Sequence, residues 1–447
     1  MSDGTVRDSV PTRRPPRRRP RPLSPLREHL RDTFWFAPTV AMAGVFLLWL
    51  AAQQLDTLIV TALRQDGDRE TLAELTGFAE DAKTVVSAVG SAMMTFIGVV
   101  FSISLVAVQM ASGQFTPRVV RLFVRSRITK ATFAVFLATF VLTLLVLTSF
   151  DSAANPRTVT IVPLVQSVLT LVMVALSLLL FVFYVNTMLR LMRVGHVIAR
   201  ITAESLRVAA STPVSEGDAD RPDPATATAL LPYEGRAGVL RDVSVARLVR
   251  VARRNGVVLR LVPRIGDYVV PGTPVLAVHG GPPPPRVALR QTVWVGVERT
   301  SHQDLGLGLR QLSDIALRAL SPAVNDPTTA VQALDRVVQL LAELSRRPLD
   351  AAVHRDRRGA VRLVQPVPGW TALVDLGLTE VRLLAAEHPQ VSRRMLAGLD
   401  DLLRIAPPDR REPLLRHRDL LRQAVESAAP TAADRAFAVR PDRQGIG

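Results

Sequence analysis

Six small or polar residues recur through one long apolar segment: Ser87, Ser91, Thr95, Gly98, Ser102 and Gln109. On a helix turning about 100° per residue they fall inside one wedge of about 80°, among Val, Met, Ile, Phe and Leu. Two kinds of chemistry use such a stripe. Small residues let two helix backbones approach while hydroxyls bond across the seam. The same row can line a polar path through a bilayer, closed where apolar residues intervene. A second candidate is the loop at 321–329, which contains Asn325 and Asp326. Asp326 suits the cap of a helix opened by Pro327, because proline lacks only an amide hydrogen that a first turn leaves unused. The alternative is that Asn325 and Asp326 hold a ligand.

Residue counts exclude much other chemistry. There is no cysteine, which removes disulfides, thiolate zinc sites, iron–sulfur clusters and thiol nucleophiles. The only lysines are Lys83 and Lys130, so the rest of the chain has no phosphate-loop, Schiff-base or carrier lysine. The seven histidines, His29, His196, His279, His302, His354, His388 and His417, include no pair at three- or four-residue spacing. A helix-borne zinc site is therefore not encoded locally. His302, Asp304 and Asp314 share one segment, where a capped helix start accounts for them. No dinucleotide fingerprint or nucleophile-elbow serine occurs. The expectation is a protein without catalytic residues, metal or cofactor, and not an enzyme.

The elements that position the stripe are four stretches free of Asp, Glu, Lys and Arg, at 34–55, 85–111, 131–150 and 160–185. Each approaches or exceeds the roughly 20 residues that cross a bilayer. The first is too long and starts too late for a secretory signal, so it reads as an anchor. At about 1.5 Å per residue the second reaches roughly 40 Å, which predicts tilt or protrusion. With no ionisable residue inside these stretches, a proton-coupled pump or a voltage sensor is not expected.

The net charge of +16 follows a membrane pattern. Nine arginines precede position 34; Arg118, Arg121, Arg125, Arg127 and Lys130 lie between the second and third stretches; Arg190, Arg193 and Arg200 follow the fourth. The first intervening loop instead carries Asp56, Asp66, Asp68, Glu70, Glu74, Glu80 and Asp81. The positive-inside rule places both termini in the cytoplasm of a cell whose inner or plasma membrane the chain crosses. Arginine-rich flanks can rest on anionic headgroups. Few aromatics accompany them, so nucleic acid is not an expected partner.

Residues 1–33 form an Arg- and Pro-rich arm expected to be disordered. The stretches at 34–185 make the transmembrane domain, and 186–232 a juxtamembrane helix and linker. A β-rich module follows at 233–280, with Ser244 as N-cap of a short helix, then a proline spacer, a helical domain at 286–430 and a frayed tail at 431–447. The expected fold is an integral membrane α-helical protein with a cytoplasmic α/β region. The segment from Gly266 to Pro274 resembles the half-motif of biotinyl and lipoyl barrel-sandwich domains without their lysine, so a barrel-sandwich-like shape is expected with no carrier chemistry.

Four segments in order carry a wider resemblance. They are Phe101-Ser102-Ile103-Ser104-Leu105-Val106-Ala107-Val108-Gln109-Met110-Ala111-Ser112, Gln114-Phe115-Thr116-Pro117-Arg118, the Gly-Asp-Tyr-Val module, and Asp314-Ile315-Ala316-Leu317-Arg318-Ala319-Leu320-Ser321-Pro322 running into Asn325-Asp326-Pro327. Over residues 30–425 the chain resembles a family of predicted bacterial membrane proteins, domain of unknown function 2254. The resemblance implies the same architecture and supplies no activity; Thr328 stands where that family usually has an aromatic residue. Three functions remain open: a passive, channel-like transporter, a membrane-anchored scaffold or regulator of a cytoplasmic partner, and a hydrolase using His302 and Asp326. A homo-oligomer is expected, with the second crossing near its axis, because the stripe has few partners within one subunit.

Overall fold

The computed structural model describes residues 35–65, 69–114, 127–151, 163–191, 193–215, 222 and 226–444. The N-terminal arm, most of the basic loop at 112–130 and the loop at 152–162 lie outside the described residues. Four long helices come first: α1 (Phe36–Gln65), α2 (Arg69–Gln114), α3 (Arg127–Asp151) and α4 (Leu164–Leu191). Each contains a span long and apolar enough to cross a membrane, of 28, 30, 23 and 27 residues.

Both α1 and α2 extend beyond the uncharged stretches. The expected first loop is largely helical, because Glu70, Leu72, Ala73, Glu74 and Leu75 favour helix once the apolar run is over. At 46 residues, α2 is about 69 Å long, roughly twice the hydrocarbon thickness, so it projects from the bilayer. The shortest helix, α3, is the hub. It packs on the other three, and half of its span is buried, against 17% of each other span. One core cluster gathers Val60, Val86, Leu142 and Val146; another gathers Met93, Val100, Phe136 and Tyr184.

After α4 the chain turns into α5 (Val194–Ser211), whose Val197, Ile198, Ile201 and Val208 are buried. The strands β1 (Val214–Ser215), β2 (Ala229–Pro232) and β3 (Gly238–Val243) follow, then α6 (Val245–Arg254), β4 (Val258–Leu261), β5 (Tyr268–Val269) and β6 (Pro274–His279). Next come the short α7 (Arg286–Leu289), β7 (Val293–Gly296), α8 (Leu307–Ala319) and α9 (Pro327–Leu344), the hairpin β8 (Ala351–Arg355) and β9 (Val361–Pro366), and α10 (Trp370–Ala385). The chain closes with α11 (Pro389–Ile405), α12 (Arg411–Ala428) and α13 (Ala432–Ala438). The buried face of α5 joins the core shared by α8 to α13. The helix that continues the fourth span is thus part of the helical domain.

The strands form two sheets, β1-β8-β9-β4-β6-β2 and β5-β3-β7. No closed barrel occurs among the described residues, in contrast to the barrel-sandwich-like expectation. The hairpin β8–β9 explains this: β9 pairs in parallel with β4 through Leu259 and Leu363, so strands from beyond the proline spacer extend the sheet and leave it open. The expected tail is also docked. Thr431 caps α13 by accepting from the Asp434 amide at 3.1 Å, Ser392 Oγ donates to the Ala438 carbonyl at 3.0 Å, and Arg393 lies 4.1 Å over the Phe437 ring.

Candidate functional site

All six stripe residues are exposed. The face of α2 that packs on its neighbours carries Val86, Met93, Val100 and Ala107, and at about 100° per residue the stripe is centred roughly 160° away. A methyl group added at Gly98 would meet nothing within 4 Å. Two of the hydroxyls turn onto their own helix, Ser91 Oγ donating to the Ser87 carbonyl at 3.3 Å and Thr95 Oγ1 to the Ser91 carbonyl at 3.4 Å. Such back-bonding satisfies a hydroxyl without a second helix. Within one subunit the row therefore faces away from α1, α3 and α4, with exposed Met94, Phe101 and Leu105 beside it.

The loop before α9 has a different character. Asp326 accepts the Thr329 amide at 3.0 Å and the Thr329 hydroxyl at 2.6 Å, so both carboxylate oxygens serve the first turn of α9, with Pro327 at its first position. Asn325 has φ 47°, a left-handed conformation that asparagine tolerates better than most residues. The loop backbone closes through the Asp326 amide on the Ala319 carbonyl, 2.8 Å, and the Asn325 amide on the Ser321 carbonyl, 2.9 Å. No hydrogen bond joins Asp326 to His302 among the described residues. The pair that the hydrolase reading needs is not assembled.

A third constellation is half visible in the sequence, where a capped helix start accounts for Asp304 but nothing ties it to its partners Arg299 and Gly266. Asp304, with its side chain 1% exposed, accepts the amides of Gly306 and Leu307 at 3.0 Å each and so caps α8. It also receives a two-pronged bond from Arg299, Nε at 2.7 Å and a terminal nitrogen at 2.9 Å. The turn at Gly266, φ 97°, rests on this pair: a Cβ there would come 2.7 Å from Asp304 Oδ2 and 2.8 Å from Arg299. Ser301 bonds to Glu204 of α5 beside it. The Gly-Asp-Tyr segment is therefore a seat that joins the β-rich module to α8. Its signal in the sequence was the glycine; its partner lies about forty positions on.

Within the membrane bundle, Asp56 is buried because α1 runs past it to Gln65. It accepts the Val165 amide at 2.7 Å and the Gln166 side-chain amide at 3.0 Å, capping α4 from a neighbouring helix. Ser149 Oγ donates to Gln166 Oε1 at 2.9 Å, which ties α3 into the same network. Near the other end, Tyr184 OH donates to the Val100 carbonyl at 3.0 Å and pairs with Ser104 Oγ at 2.6 Å. Ser104 is thus a hydroxyl of α2 partnered by another helix, two residues from the exposed Ser102. Among the described residues no three His, Asp or Glu side chains form a group that could hold a metal ion.

Known sequences resemble that of this chain. The family of predicted membrane proteins designated domain of unknown function 2254 matches residues 31–401. The chain belongs to that family. The DUF2254 match runs from just before α1 into α11 and so takes in the α2 stripe, the Asp304 junction and the Asp326 loop. Similar proteins include uncharacterized proteins of Mycobacterium bovis (Mb1321c) and Mycobacterium tuberculosis (Rv1290c and MT1328). Each is 27% identical over 436 residues, covering 92% of this chain and 79% of the relative. No solved structure matches the chain.

Proposed function

We propose that this protein is a channel-like, non-enzymatic membrane protein that assembles from copies of itself, with α2 at the shared seam and the region from residue 186 onward as its cytoplasmic regulatory part. The observation that carries this reading is the outward row Ser87, Ser91, Thr95, Gly98, Ser102 and Gln109. A polar row facing acyl chains has no use for its hydroxyls and amide, whereas copies arranged around an axis give it either a packed seam or a lined path. The arginine-rich flanks support cytoplasmic termini and contact with anionic headgroups.

Flux from vesicles reconstituted with the full chain tests it. Small-solute or ion release should exceed that of empty vesicles and fall on Gly98→Trp or Ser102→Trp. Release equal to that of empty vesicles, or insensitive to both substitutions in folded protein, refutes it. A second reading, a scaffold for a cytoplasmic partner, is supported by apolar side chains left open around the sheet β5-β3-β7, Tyr268 on β5 at 68% and Val297 just after β7 at 90% exposure. Specific capture of a partner by the wild-type chain and not by Tyr268→Ser, with no flux, would favour it.

A further inference from the structure

Helices α10 and α12 lie side by side. Trp370 Nε1 donates to the Arg410 carbonyl at 2.8 Å at one end, and a turn or two further on Asp375 receives Arg416 and the His417 Nε2 nitrogen, the latter at 2.9 Å. Seven positions beyond Asp375, on the same face of α10, stands Arg382. It is only 9% exposed, and its Nε is sealed from solvent with no acceptor. Among the described residues it has no acidic partner. Burial, and then repulsion from Arg416, push its pKa down from the ordinary arginine value. His417 is 2% exposed and its Nδ1 is likewise buried without a partner; burial is the main cause that lowers its pKa, against the pull of Asp375, and Arg382 and Arg416 add to the lowering. The one carboxylate here thus serves Arg416 and His417 and leaves Arg382 without a counter-charge. A buried guanidinium with no counter-charge is costly, and a nonpolar side chain of similar length would avoid that cost.

We propose that Arg382, Arg416 and His417 form a binding site for a phosphate-class oxyanion, either inorganic phosphate or a small phosphomonoester. The planar fork of a guanidinium matches two phosphate oxygens, which would give Arg382 the acceptors it lacks. Arg416, 42% exposed along its side chain, supplies the second cation at the solvent side. His417 selects among anions. Its Nε2–H is committed to Asp375, so the neutral ring offers a lone pair at Nδ1. Inorganic phosphate near neutral pH keeps a hydroxyl that can donate to that lone pair, a phosphomonoester keeps one only in its monoanion, favoured below its second pKa of about 6, and sulfate has none.

The test is titration of the detergent-purified full chain, prepared without phosphate, by calorimetry and thermal unfolding. Inorganic phosphate and glycerol 3-phosphate are the probes, with sulfate at equal ionic strength as control. Saturable heat and a rising Tm with phosphate are expected, with a clearly weaker response to sulfate. Preference for glycerol 3-phosphate identifies a phosphomonoester, and equal or stronger binding of phosphate identifies the free ion. Arg382→Met should weaken binding by about tenfold or more and raise the Tm in phosphate-free buffer, since it removes an uncompensated charge. Arg416→Gln, at the exposed edge, should also weaken binding and serves if the Met variant does not fold. No saturable response, an unchanged affinity in the folded variants, or equal binding of sulfate overturns the proposal.

Discussion

Replacing Asp304 by Ala removes four hydrogen bonds at once, two from the first turn of α8 and two from Arg299. The two helix amides lose their acceptor, which costs about 1 kcal/mol as for an ordinary N-cap. Stranding one member of a fully buried ion pair costs about 3–5 kcal/mol. The Arg299 side chain is 26% exposed, so water recovers part of that, and the total comes to about 3 kcal/mol. For a region of this size such a loss lowers Tm by about 6–12 °C. Guanidinium titration of the purified full chain reads it through tryptophan fluorescence, to which Trp294 and Trp370 contribute alongside Trp35 and Trp49 at the first span. Adding Arg299→Met should restore part of the loss, because the stranded cation goes with it. An Asp304→Ala variant within about 0.5 kcal/mol of the parent, or a double variant that is strictly additive, would refute the account of the junction.

Two further outcomes follow from the geometry. Asp326→Ala should cost about 1 kcal/mol in the same titration while Asp326→Asn stays close to neutral, since asparagine caps as well as aspartate; loss of flux in a folded, membrane-inserted Asn variant would mean that the charge itself is used. Burial lowers the pKa of His354 below the ordinary histidine value, partly opposed by its bond to Gln365, and His417 is lowered for the same leading reason. The unfolded chain therefore takes up these protons near pH 6.5 and the folded chain only at lower pH, so stability is full above that value and falls as pH drops through this window. Thermal unfolding from pH 7.5 to 5 should show that fall, flattened in His354→Gln; an identical slope in the variant counts against it.

The four spans were legible because uncharged runs of this length have few alternatives to a bilayer. Asp56 was not, since a single acid after Leu55 reads as the end of a span, although Leu58, Ile59, Val60 and Leu63 continue the apolar pattern beyond it. The helix at 245–254 and the strands around it were visible from local turns. The β8–β9 hairpin lies inside the stretch at 286–430 read as helical and was missed, although its turn is local: Asp356 accepts the amides of Arg358 and Ala360 at 2.9 and 3.2 Å, and Gly359 closes the turn at φ 84°. Its parallel pairing with β4 had no local signal, because about a hundred residues separate Leu259 from Leu363 and no periodicity reports so distant a partner. The stripe was readable as a stripe, and the direction it faces came only from the packing of α2 on α3.

The joint between α4 and α5 limits what the membrane half can do in isolation. Only positions 192 and 193 separate the two helices, and they are already drawn together by the Arg193 amide on the Arg190 carbonyl at 3.2 Å. Pulled straight, the three peptide steps from Leu191 to Val194 reach at most about 11 Å. Because α5 is bolted into the α8–α9 core through Ile198 and Ile201, the joint has little slack. A piston or twist of the fourth span larger than a few ångströms must either be transmitted as load into that core or pull α5 out of it, so the two halves are mechanically geared.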